Sequence, residues 1–169
     1  NETDNFVELI WNDSITNCTN MFRRCYYIIE INLSDFNTSQ VTNMDHMFSE
    51  CSRLTSLNLS NFDTSQVTNM CSIFGYCSSL ISLDVSNFDT SQVTNMEHMF
   101  IHCSLLTSFN LSNYNTSNVI NMGNMFSDCS SLTSLNLSNF DTSKVKYMDN
   151  MFLGCTRSEE RRVGKECRS

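Results

Sequence analysis

The sequence predicts an α/β solenoid: a right-handed stack of strand–turn–short helix units with a parallel sheet along one face. Three observations predict it. Phenylalanine recurs every 26 residues at Phe22, Phe48, Phe74, Phe100, Phe126 and Phe152. Cysteine keeps the same interval at Cys25, Cys51, Cys77, Cys103, Cys129 and Cys155. A Thr-Ser pair stands unchanged at 38–39, 64–65, 90–91, 116–117 and 142–143. On this basis the chain divides into a degenerate half repeat over 1–24, five 26-residue repeats over 25–156, and a tail over 157–169.

The unit over 51–76 shows how each element follows from its residues. Leu57 and Leu59 alternate with Ser56, Asn58 and Ser60, the period of a strand with one buried face. The stretch Ser60-Asn-Phe-Asp-Thr-Ser65 is rich in side chains that bond nearby backbone, so it reads as a turn with Phe62 folded inward. Asp63 suits the cap of a short turn over 64–66, and Val67 begins a second brief extended piece. Asn69 suits an N-cap, and about two helical turns are expected over 70–76, with Met70 and Phe74 on one face. Cys77 then opens the next unit.

A single unit cannot stand alone. Ordering each of its residues costs about 1–2 kcal/mol of backbone entropy, more than its few inward side chains offset. Neighbouring coils must share burial, and equivalent residues must stack. The expected ladders are Ile31-Leu57-Leu83-Phe109-Leu135, Leu33-Leu59-Val85-Leu111-Leu137 and Phe36-Phe62-Phe88-Tyr114-Phe140. Every exchange within them is apolar for apolar.

Composition narrows the function. The 169 residues contain no proline and four glycines, and only 17% are charged. The net charge of −8 speaks against phosphate backbones and anionic lipid as partners. No apolar run reaches the ~18 residues of a membrane span, so no membrane insertion is expected of this segment. Five of the ten Lys and Arg lie in 157–169, a run that resembles the translation of a DNA-sequencing adaptor and is set aside from the fold.

The pattern Leu54-x-x-Leu57-x-Leu59-x-x-Phe62, then Asp63-Thr-Ser-Gln-Val-Thr-Asn-Met70 and Phe74-x-x-Cys77, resembles the BspA-like leucine-rich repeats, in their 26-residue Met-Phe-x-x-Cys variety. The resemblance covers Val7 to Cys155. It implies a leucine-rich-repeat-like stack, a cell-surface or extracellular location, and a role in adhesion. It carries no catalytic residues with it.

Candidate sites follow from the columns. Cys25, Cys51, Cys77, Cys103, Cys129 and Cys155 read as a structural ladder of buried thiols; a coil spacing near 5 Å also fits disulfide geometry. Cys71 interrupts a column otherwise filled by Asp45, Glu97, Gly123 and Asp149, and is expected to be exposed. Asn37, Asp63, Asp89, Asn115 and Asp141 offer oxygens of the kind calcium takes, but the interrupting Asn favours turn capping. His46 and His98 fall at equivalent helix positions with His102 one turn later, and read as a solvated face because no His-Glu-x-x-His pattern completes them. No metal, cofactor or catalytic residue is assigned. The outward strand residues Ser56, Asn58, Ser82, Asp84, Ser108, Asn110, Ser134 and Asn136 form the expected partner-binding strip.

The expected function is therefore a non-catalytic binding module for a protein or cell-surface ligand, with end-to-end self-association at exposed ladder edges. The alternative is a spacer solenoid with no ligand of its own. Catalysis is disfavoured because no acid, base and nucleophile converge in the repeat.

Overall fold

A computed structural model describes residues 14–155. The tail over 157–169 with Cys167, and the part of the half repeat before residue 14, lie outside the described residues. The chain winds as stacked coils with a constant register of 26 residues, since each parallel pairing joins residues one repeat apart. β1 (Glu30–Asn32) pairs with β2 (Ser56–Asn58), Glu30 against Ser56 and Asn32 against Asn58. A second column of single parallel bridges runs without a break from Asn17 through Asn43, Asn69, Asn95 and Asn121 to Tyr147. The repeat solenoid is thus visible directly in the register.

Two expectations need correction. The strand face is not a continuous sheet among the described residues. Ser108 bridges Ser134, but residues 82–84 form no bridge to either neighbour. The short helix is also missing, for no described residue is helical. Over 44–51 the N–H groups of Met47, Ser49 and Cys51 close turns on the carbonyls of Met44, His46 and Phe48. The intervening N–H groups of Met44, His46, Phe48 and Glu50 reach the carbonyls of Asn69, Cys71, Ile73 and Gly75 in the next coil. A helix would turn its donors beyond the first turn back on its own carbonyls. Here every second one points along the stack and ties coil to coil.

This string of turns requires left-handed backbone twice per coil. One column is Asn20, His46, Ser72, His98, Asn124 and Asn150, with φ between 50° and 59°. The other is Arg24, Glu50, Tyr76, His102, Asp128 and Gly154, with φ between 55° and 74°. Asn, Asp and His tolerate this region better than most L-residues, which explains their frequency at these positions. The remaining corners are set by side-chain caps. In the coil over 51–76, Asn58, Asp63 and Asn69 accept the N–H groups of Ser60, Ser65 and Cys71 at 3.1, 2.9 and 3.0 Å. These Asx turns do the work that Gly and Pro do elsewhere, and so account for a composition poor in both.

The core is a set of columns. The phenyl rings of Phe22, Phe48, Phe74, Phe100, Phe126 and Phe152 stack with centroids 5.5–5.8 Å apart and interplanar angles of 2–11°. Phe109 replaces leucine in its ladder and wedges between Phe100 and Phe126, at 4.4 and 5.6 Å. Val41, Val67, Val93 and Val119, and Met44, Met70, Met96 and Met122, are fully buried beside them.

Candidate functional site

All eight residues of the expected strip, Ser56, Asn58, Ser82, Asp84, Ser108, Asn110, Ser134 and Asn136, are exposed. Half of them also hold the fold. The side-chain oxygens of Asn58, Asp84, Asn110 and Asn136 accept the N–H groups two residues on, at 3.0–3.3 Å. Hydrogen bonds from Ser86 keep the Asp84 carboxyl below the usual aspartate range. The serines are the freer half of the strip. Beside them, in the column where Thr55, Thr107 and Thr133 stand, Ile29 and Ile81 are 49% and 63% exposed. Tyr27 is 84% exposed. Apolar side chains of this size anchor protein contacts, and column reading alone did not single them out.

Where residues 82–84 leave the sheet, Leu57, Asn58, Leu59, Ser60, Asp84 and Asn87 line a notch of about 180 Å³. Small-molecule sites run to about 300–1,000 Å³. The notch is smaller than such sites.

The turn column acts as caps. Asn37, Asp63, Asp89, Asn115 and Asp141 each accept the backbone N–H of the serine two residues later, at 2.9–3.1 Å. Hydrogen bonds from Ser65 and Ser143 hold the Asp63 and Asp141 carboxyls below their ordinary range. The unchanging threonine before that serine has its own task. The Thr90 hydroxyl donates to the Asn115 carbonyl at 3.0 Å and accepts the Asn115 N–H at 2.8 Å. Thr38 and Thr116 clamp Asp63 and Asp141 in the same way.

The cysteine ladder is hydrogen-bonded. The thiols of Cys51, Cys77, Cys103, Cys129 and Cys155 donate to the carbonyls of Phe22, Phe48, Phe74, Phe100 and Phe126 at 3.0–3.2 Å. Each of these carbonyls also accepts the N–H of the cysteine in its own coil. A small, apolar side chain with a weak donor suits this place, and burial pushes the Cys51 and Cys129 thiols up to about 11 and about 12. Cys25, the first of the column, is half-buried and also raised by burial.

Asparagine forms a further ladder that the sequence reading passed over. Asn87 Nδ2 donates to the carbonyls of Leu59, Ser60 and Phe62, and Asn139 Nδ2 to those of Leu111, Ser112 and Tyr114. The recurring Ser-Asn-Phe/Tyr at 60–62, 86–88, 112–114 and 138–140 is its signal.

The histidines lie at left-handed turn positions, since the expected helix is absent. His98 and His102 do not share a site: His102 pairs with Asp128 at 3.3 Å and stacks on Tyr76 at 4.7 Å. Cys71 is half-buried, not exposed, because the coils on both sides lean against it. It stands between the pair Asp45–His46 and the pair Glu97–His98, with one ligand-type atom of each residue in either trio within 4.8 Å of the others. His46 Nδ1 meets Asp45 Oδ1 at 2.6 Å, whereas His98 Nδ1 and Glu97 Oε1 are 4.0 Å apart. Burial above all pushes the Cys71 thiol up to about 11, and the two neighbouring carboxylates push the same way.

No helix among the described residues is long and apolar enough to cross a membrane. The family model described as "Mycoplasma protein of unknown function, DUF285" matches residues 3–82 and 76–162. No curated protein matches the chain. Among solved structures, that of the T. pallidum leucine-rich repeat protein is similar at 21% identity and a TM-score of 0.49, over 86% of this chain and 72% of that one.

Proposed function

The chain belongs to the DUF285 family, and from that premise we propose that it is a non-catalytic repeat module that binds a protein or cell-surface ligand along its outward strip. The observation that carries this reading is the exposed strip itself. Short hydroxyl and amide side chains repeat at the coil spacing and are flanked by exposed Ile29, Ile81 and Tyr27. Short polar groups lose little rotamer freedom on docking, and the apolar neighbours supply the desolvated anchor. The resemblance to BspA-like surface repeats supports adhesion and a location on the cell surface or outside the cell. The module is read as the repeats over 25–156. Nucleic acid is not its partner on charge grounds.

The test is binding of the purified protein to intact animal cells and to immobilised extracellular-matrix proteins. Ser82→Lys with Ser108→Lys, and Ile81→Thr, change the strip without touching an Asx cap. Threonine already occupies the Ile81 position at Thr55, Thr107 and Thr133. Loss of binding in folded variants supports adhesion. Equal binding by all variants removes the strip from the function, and no binding by the native chain favours the spacer.

A further inference from the structure

We propose that Cys71, Glu97 and His98 form a site for one divalent cation of the zinc class, stapling the third coil of the stack to the fourth, with the Asp45–His46 pair packed against its other side. The argument starts from the register. Positions 45, 71 and 97 are one column and positions 46 and 98 belong to the next, so the turns that replace the helix bring an imidazole and a carboxylate to the Cys71 thiol from each side. Thiolate, imidazole and carboxylate are the donors zinc prefers.

Distances separate the two sides of Cys71. Atoms bound to one tetrahedral zinc at about 2.0–2.2 Å lie about 3.3–3.6 Å from each other. His98 Nδ1 and Glu97 Oε1, at 4.0 Å, are close to that separation and too far apart to hydrogen-bond. His46 Nδ1 and Asp45 Oδ1, at 2.6 Å, are in direct hydrogen-bond contact and leave no room for an ion between them. The second pair therefore acts from outside, its carboxylate facing Cys71 from the neighbouring coil. The described residues of the other coils lack the thiol: their equivalents of Cys71 are Thr19, Asp45, Glu97, Gly123 and Asp149. Binding exchanges one proton for the ion. The Cys71 S–H proton goes to buffer, and its sulfur bonds the metal.

The experiment is a titration of the full chain, kept reduced, with Co²⁺ and then Zn²⁺. The expected result is one Co²⁺ per chain, with tetrahedral d–d bands, a thiolate-to-metal charge-transfer band, and displacement by Zn²⁺. Cys71→Ser abolishes the charge-transfer band. Cys71→Gly does the same in a backbone the repeat already accepts at Gly123. His98→Asn, which places the residue found at Asn124 and Asn150, abolishes saturable binding, while His46→Asn weakens it by about 10–100-fold. Circular dichroism confirms that each variant keeps the fold. A charge-transfer band that survives both Cys71 variants overturns the site, as does the absence of saturable Co²⁺ binding by the native chain. Loss of binding in His46→Asn but not in His98→Asn overturns the assignment of ligands.

Discussion

At the scale of single residues, the repeat makes deviations easy to interpret. Tyr114 occupies a column of phenylalanines, is 2% exposed, and its hydroxyl finds no hydrogen-bond partner among the described residues. A buried unsatisfied hydroxyl costs about 1–3 kcal/mol. Tyr114→Phe is expected to raise stability by about 1 kcal/mol, measured by urea unfolding; a loss of stability would contradict the orphaned hydroxyl. The cysteine ladder gives a pH prediction. Burial raises the Cys51 thiol from 9.0 to about 11, so between these values the folded chain holds a proton that the unfolded chain releases. The stability due to the neutral thiol is whole below pH 9.0 and declines as pH climbs toward about 11. Thermal unfolding across that window should show the decline, and Cys51→Ala should make it shallower. The legible part of these residues was their interval and their apolar character. Their partners were not legible, because the Cys–carbonyl and Thr–backbone bonds join residues 25–29 positions apart.

At the scale of elements, the sequence marked where the chain turns but not how. Met70 and Phe74, four apart and both apolar, gave the signal of a helix face, and both are indeed buried. Alternating turns bury the same positions, so hydrophobic spacing alone did not separate the two. The discriminating signal was the Asn, His, Asp and Gly recurring at the left-handed positions. Asn124 has φ 54°. Asn124→Ala is expected to cost about 1 kcal/mol from the Cβ clash in the left-handed region, and Asn124→Gly close to nothing. Equal losses in the two variants, read by chemical unfolding, would show that the asparagine acts through its side chain and not its backbone. The candidate strip was legible from alternation alone. The cation site was not, since it lies across coils and depends on turns read as a helix.

At the scale of the whole molecule, stability is a sum over neighbouring coils, and coils with one neighbour are the weakest. In the coil over 129–155, Tyr147, Phe152 and Leu153 are 58%, 38% and 57% exposed. Concentration-dependent association through this edge is expected in sedimentation velocity, reduced by Leu153→Ser, which matches Ser49 and Ser127 in other coils. A sedimentation coefficient independent of concentration would exclude it.

The two bridge columns differ in a way that has mechanical meaning. The asparagine column is closed from Asn17 to Tyr147, while the strip side is open around residues 82–84. One side of the stack is thus tied by a backbone bridge at every coil, while the strip side lacks one around residues 82–84 and is held there by side chains such as Asn87. A change of pitch between Ser56, Ser82 and Ser108 would break no backbone bridge. The proposed binding strip thus has, at its centre, a spacing between coils that no backbone bridge fixes.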